Sequence, residues 1–277
     1  MFKYIVVIFL TISLKVYSQG SINSFTGDES MFYAQTKQVN QFFRRFNGEE
    51  DVEGKRSYNT DKNFRDTRSR EKFLKILFDN SNYSMSRDIK EAFIFQVNSK
   101  KNPVFLDFHG NNWFAEVSTS FTYKKEKVNI ILYLKIEKQN QGYKWVFSNV
   151  FCDQFSKYFV HLNDTSNTTM FLHPLSHEID FMNIHKVFED PDDLDYYLEK
   201  NYNPDQLAIF TGELKNGNLK FEAVNGVKFH FFQVQGWYFE VSYFNRNENN
   251  SGWLISNMIR INEKEKNALI RNYTHEH

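Results

Sequence analysis

All four tryptophans of this 277-residue chain fall in two matching pairs of strand-like segments. Trp113-Phe114-Ala115-Glu116-Val117-Ser118 parallels Trp237-Tyr238-Phe239-Glu240-Val241-Ser242, and Trp145-Val146-Phe147-Ser148-Asn149-Val150 parallels Trp253-Leu254-Ile255-Ser256-Asn257-Met258. Aromatic and β-branched residues bounded by breakers read as β-strands. Two ordered matches that use every Trp predict an internal repeat. The members of a pair lie 32 residues apart in the first half and 16 in the second. One extra strand therefore belongs in the first gap, a difference that works against a simple duplication.

Around these segments the pattern predicts helices followed by strands, twice over. Phe32, Val39, Phe43 and Phe46 mark one stripe of a helix over Met31–Phe46, closed by Asn47-Gly48. Further helices are expected over Arg70–Phe78 and from a Ser86 cap. Strands are expected over Pro103–Phe108, Trp113–Tyr123, Val128–Glu137 and Tyr143–Phe151. In the second half a helix is expected over Pro174–Phe188 and another capped by Asp190 with Pro191 in its first turn. Strands follow at Leu207–Leu214, Leu219–Val224, Val227–Val234, Trp237–Phe244 and Trp253–Ile261, with Asn216-Gly217 and Asn225-Gly226 as hairpin turns. Short connections imply antiparallel pairing.

Thirty Phe, fifteen Tyr and four Trp exclude a disordered chain. The net charge is zero but uneven: residues 1–155 carry 23 Lys+Arg against 17 Asp+Glu, residues 156–277 carry 11 against 17. Opposite halves could dock on each other or orient on a charged partner. Overall neutrality argues against nucleic acid as a partner. Residues 1–18 read as a signal peptide: Lys3 precedes an apolar run from Ile5 to Leu14, with cleavage expected after Ser18. That run makes about 15 Å of helix, short of the roughly 20 apolar residues a bilayer span needs. An uncleaved anchor is the alternative. The expected location is the periplasm or the extracellular space, with no membrane span after cleavage.

The expected organisation is a linker over 19–30, a first domain over 31–155, a linker over 156–167, a second domain over 168–262 and a polar tail over 263–277. Helices followed by a curved antiparallel sheet that closes on Trp-x-x-Ser-Asn (Trp145 to Asn149, Trp253 to Asn257) resemble the cystatin-like cone of the nuclear transport factor two and ketosteroid isomerase superfamily. The resemblance implies an α+β fold of two tandem cones, each with helices over the concave sheet face and a pocket at the wide end. Members include isomerases, dehydratases and proteins that only bind, and the fold does not choose among them.

Candidate chemistry is sparse. Glu116 and Glu240 sit between apolar neighbours in strands and are the candidate ligand-binding carboxylates, or the base of an isomerase-type enzyme. Cys152, flanked by Phe151 and Phe155, reads as a buried thiol. His173, His177 and His185 do not form a zinc motif, and Asp190, Asp192 and Asp193 suit a helix start better than calcium. There is no nucleophile elbow or phosphate-cradling glycine loop. No cofactor, metal or catalytic residue is assigned. The reading that results is an exported, non-enzymatic protein that binds a small molecule or an envelope protein. The alternatives are an isomerase or dehydratase with a carboxylate base, and an assembly factor of an envelope secretion system.

Overall fold

The computed structural model describes residues 39–51, 53–159, 187–198, 205–247 and 250–274. The expected signal peptide and first linker, the helix over Pro174–Phe188 save its last two residues, and His173, His177 and His185 lie outside these residues, as does most of the expected linker over 156–167. Three helices come first. Helix α1 (Val39–Asn47) buries Phe42, Phe43 and Phe46. It ends at Gly48, where φ is 71° and the N–H groups of Gly48 and Glu49 donate back to Arg45 and Arg44 carbonyls at 3.1 and 2.8 Å. That left-handed position costs glycine nothing. Helix α2 (Thr67–Ile76) is capped by Asp66, and α3 (Arg87–Val97) by the Ser86 hydroxyl.

The strands are β1 (Trp113–Tyr123), β2 (Glu126–Gln139), β3 (Gly142–Phe151), β4 (Leu219–Phe231), β5 (Trp237–Phe244) and β6 (Gly252–Arg260). They form one six-stranded antiparallel sheet in the order β3-β2-β1-β4-β5-β6. Short helix α4 (Asp153–Ser156) follows β3, α5 (Gln206–Lys215) precedes β4, and α6 (Glu263–Arg271) follows β6. The chain is therefore α+β. Each half supplies a three-stranded meander, and the pairing of β1 with β4 joins the meanders into one sheet where two were expected.

Alternation gives the sheet two different faces. On one, Trp113, Phe231, Phe239 and Met258 lie opposite one another across β1, β4, β5 and β6. Trp113 and Phe231 stack at 5.5 Å, Phe231 and Phe239 at 4.8 Å. Phe42, Phe43, Phe46 and Phe93 of the helices close over this row. A second cluster packs Phe210 of α5 and Phe155 of α4 on Phe121, Ile130 and Val150. Cys152 belongs to it, buried as expected, and burial pushes its thiol up.

Several elements differ from expectation. Leu207–Leu214 is helical: Asp205 caps α5 by accepting from the Leu207 N–H at 2.8 Å, and Asn216-Gly217 ends the helix rather than turning a hairpin, with Gly217 at φ 75°. Asn225-Gly226 is no turn either. The stretch from Leu219 to Phe231 is one strand, and Asn225 is the extra residue of a bulge between the pairs Ser118–Gly226 and Thr119–Val224. Pro103–Phe108 is not a strand; the Asn47 side chain pairs with both the N–H and the carbonyl of Leu106, at 2.8 and 2.9 Å. The polar tail contains α6, nucleated by a capping box of Asn262 and Glu265. Asp190 caps as expected, but the turn it opens, Pro191–Tyr197, is a 3₁₀ helix.

The repeat resolves with these corrections. Trp145 and Trp253 occupy equivalent third strands at opposite edges of the sheet, whereas Trp113 opens β1 and Trp237 opens β5, the second strand of its meander. The extra strand in the first gap is β2.

A candidate ligand site on the polar face

The second sheet face carries the polar members of the alternation. Register sets Glu116 opposite Lys228, and His230 between Phe114 and Glu240. These side chains form one chain of contacts. His230 Nε2 lies 2.9 Å from Glu116 Oε2, and Nδ1 lies 2.8 Å from the Tyr238 hydroxyl. Tyr238 donates to Glu240 Oε1 at 2.7 Å, and Asn257 Nδ2 reaches the same oxygen at 3.4 Å. The Tyr273 hydroxyl stands 3.2 Å from His230 Nδ1. Lys228 Nζ pairs with the other Glu116 oxygen at 3.2 Å.

Tyr238 gives its one proton to Glu240, while the Tyr273 hydroxyl can donate to or accept from Nδ1, so the roles of the two His230 nitrogens toward Glu116 and the tyrosines depend on the ring's tautomer. Such a network is stable only when every member is satisfied. Bonding to His230 holds the Glu116 carboxyl below its ordinary range, against the opposing pull of burial. Burial pushes Tyr238 and Tyr273 up; it also lifts Tyr133 to about 12, with the Glu116 charge adding to the effect.

Helix α6 covers the buried end of this chain. Tyr273, just beyond it, stacks on Phe114 at 5.4 Å and meets Tyr133 edge-on. The Ser-Asn of the Trp-x-x-Ser-Asn segment in β3 holds it there: Ser148 Oγ donates to the Tyr273 carbonyl at 2.6 Å, and Asn149 Nδ2 to Asn272 at 3.1 Å. The matching pair in β6 serves the same face, with Ser256 against Ser242 at 2.9 Å and Asn257 against Glu240.

The other end is open. β4 pairs with β5 only from Lys228 to Phe231, while β1 follows β4 as far as Leu219. Beyond the Lys228–Ser242 pair, β4 and β5 part and leave a notch of about 500 Å³. Glu116, Ser118, Lys228 and Ser242 line it from the polar face with Asn225 and Gly226, and Tyr243 and Trp253 line it from the face toward α1–α3, so the notch passes through the sheet. The Glu116 side chain is 12% exposed and so links the buried chain to the notch.

The two carboxylates singled out from sequence thus lie in one network, and only Glu116 lines the notch. They face away from α1–α3 rather than into a hollow beneath those helices. His230, Tyr238 and Tyr273 were not foreseen. The available signal was strand polarity: Lys228, His230, Tyr238 and Glu240 are alternate residues of two strands, and all fall on one face. Trp113 and Trp237 are core residues at 2% and 1% exposure, but Trp145 is 40% exposed. Among the described residues no group of three or more His, Cys, Asp or Glu could hold a metal ion, and no helix is long and apolar enough to cross a membrane. No family profile, curated protein or solved structure matches the chain.

Proposed function

We propose that this is an exported, non-enzymatic binding protein whose ligand enters the notch between β4 and β5. The observation that carries this reading is the Glu116 carboxylate, fixed from inside by His230, paired with Lys228, and still open to a hollow that Tyr243 and Trp253 also line. A pocket with a few convergent polar groups is the usual form of a ligand site. The larger hollow of about 710 Å³ beside α2 and α3 has less to offer: its carboxylates Glu71 and Glu91 are half-exposed members of surface i,i+4 pairs, with no group fixing them from inside as His230 fixes Glu116. Base catalysis is the weaker reading, because a general base works best with a pKa near the working pH. His230 moves Glu116 the other way. Likeness to the cone-fold superfamily enters this proposal as shape alone, with helices against one sheet face and an opening where strands part; no family residue is carried over. Export rests on residues 1–18, and the intact mass of protein from the native envelope tests it, with a start at Gln19 expected and the full-length mass overturning it.

The test of the site is amide NMR of the chain from Gln19 onward, titrated with a library of small polyols, amines and carboxylates. Saturable shifts at Ser118, Gly226 and Ser242 are expected, and Glu116→Gln should weaken them. A library that leaves these amides unmoved overturns the reading.

A further inference from the structure

We propose that the notch takes a neutral sugar ring; this rests on the binding reading above and names the class of its ligand. Charge decides first. The one carboxylate of the notch is paired with Lys228 at 3.2 Å and hydrogen-bonded to His230 at 2.9 Å, so the Glu116–Lys228 pair brings no net charge to the site. An ionic ligand competes with that pairing, and displacing one partner leaves the other charge uncompensated. The remaining polar groups are neutral and can face either way. Ser118 Oγ has no hydrogen-bond partner among the described residues. Ser242 shares one with Ser256, and Asn225 commits an amide N–H to Ser120 Oγ at 2.7 Å, leaving its Oδ1 open. Hydroxyls donate or accept as needed, and the Glu116 oxygens accept. Together they suit neighbouring hydroxyl groups held on a rigid ring. An apolar ligand would desolvate these groups without pairing them, which is unfavourable.

The opposite side of the gap supplies the other half of the match. Tyr243 and Trp253 pair across β5 and β6 on the face toward α1–α3, where they line the far side of the gap through the sheet, with ring centroids 5.4 Å apart and Tyr243 40% exposed. The negative face of an aromatic ring attracts the polarised C–H groups on the flat side of a pyranose. Trp253 is braced from beneath by Phe229 at 4.9 Å, so its orientation is set before a ligand arrives. The volume of about 500 Å³ lies within the usual range for small-ligand sites and holds roughly one or two hexose rings.

The experiment titrates the full chain from Gln19 with methyl glucoside, galactoside, mannoside and N-acetylglucosaminide and with their β-linked disaccharides. It follows the amides of Ser118, Gly226 and Ser242 and the tryptophan emission. At least one sugar should give saturable shifts there. Tyr243→Ala, a change at a half-exposed position, should weaken that sugar by about tenfold, and Glu116→Gln by about as much. Sugars that bind with shifts elsewhere, or that bind both variants unchanged, overturn the site. Charged fragments that shift these amides where no sugar does overturn the sugar class and leave the binding reading standing. If nothing shifts them in a protein that still melts cooperatively, both fall.

Discussion

Arg70 places a guanidinium where only 1% of the residue is exposed and no carboxylate among the described residues bonds it. Its fork donates to the carbonyls of Phe46 at 2.7 Å, Val97 at 2.8 Å and Val104, binding the ends of α1 and α3 to the segment before β1. The negative ends of two helices offset part of its charge, and burial lowers its pKa to about 10, still well above neutral. Lysine cannot make this planar fork. Arg70→Lys should therefore cost about 2–3 kcal/mol in urea unfolding, since buried carbonyls lose charge-assisted bonds; an unchanged midpoint would remove Arg70 from this role. Glu116 gives a prediction in pH. Its folded pKa lies below the ordinary 4.5, so the stability it contributes is full above that value and drains away as pH falls through the lower folded value. The gap in melting temperature between wild type and Glu116→Gln should accordingly shrink as pH falls below about 4.5. A gap that stays constant to pH 3 would count against the His230 contact. At this scale the sequence marked Glu116 and Glu240 because each interrupts an apolar strand. It could not mark Tyr273, whose contact with His230 spans 43 residues.

Among the elements, five of the six strands were legible because alternation survives wherever one sheet face meets the core and the other does not. The failures have local causes. Leu207–Leu214 is a short apolar run compatible with either strand or helix, and the Asp205 cap decides for the helix. Asn225-Gly226 reads as a turn on its own, but β1 continues alongside and absorbs the extra residue as a bulge. Helix α6 was hidden by its polar surface: only Leu269 and Ile270 pack on the sheet cluster. A helix with so narrow an apolar contact depends on its cap. Asn262→Ala removes a side chain that accepts from the Glu265 N–H at 3.0 Å and should cost about 1 kcal/mol of helix stability. Hydrogen exchange at Asn272 and Tyr273 should rise before any global change; exchange equal to wild type would show that Ser148 and Asn149 hold the segment without the cap.

For the whole molecule, the shared sheet decides how the halves depend on each other. β1 contributes eleven paired residues to β4, and Phe42, Phe43 and Trp113 of the first half pack directly on Phe231 of the second. A fragment ending at Ser156 leaves β1 as an open edge and uncovers the aromatic row that β4 and β5 complete. A fragment beginning at Thr168 loses α1–α3 and with them the cover over Phe231 and Phe239. Exposed strand edges and large apolar faces favour aggregation or partial unfolding over a stable domain. The repeated order of helices and strands argued for two folding units; the order could be read from sequence, but the pairing of β1 with β4, about a hundred residues apart, could not. Neither fragment alone should give a cooperative denaturant melt, and mixing the two should restore the blue-shifted emission of buried Trp113 and Trp237. If the fragment ending at Ser156 melts cooperatively by itself at the midpoint of the full chain, the helices and β1–β3 form a unit of their own, and β4–β6 is an appended sheet rather than half of a single core.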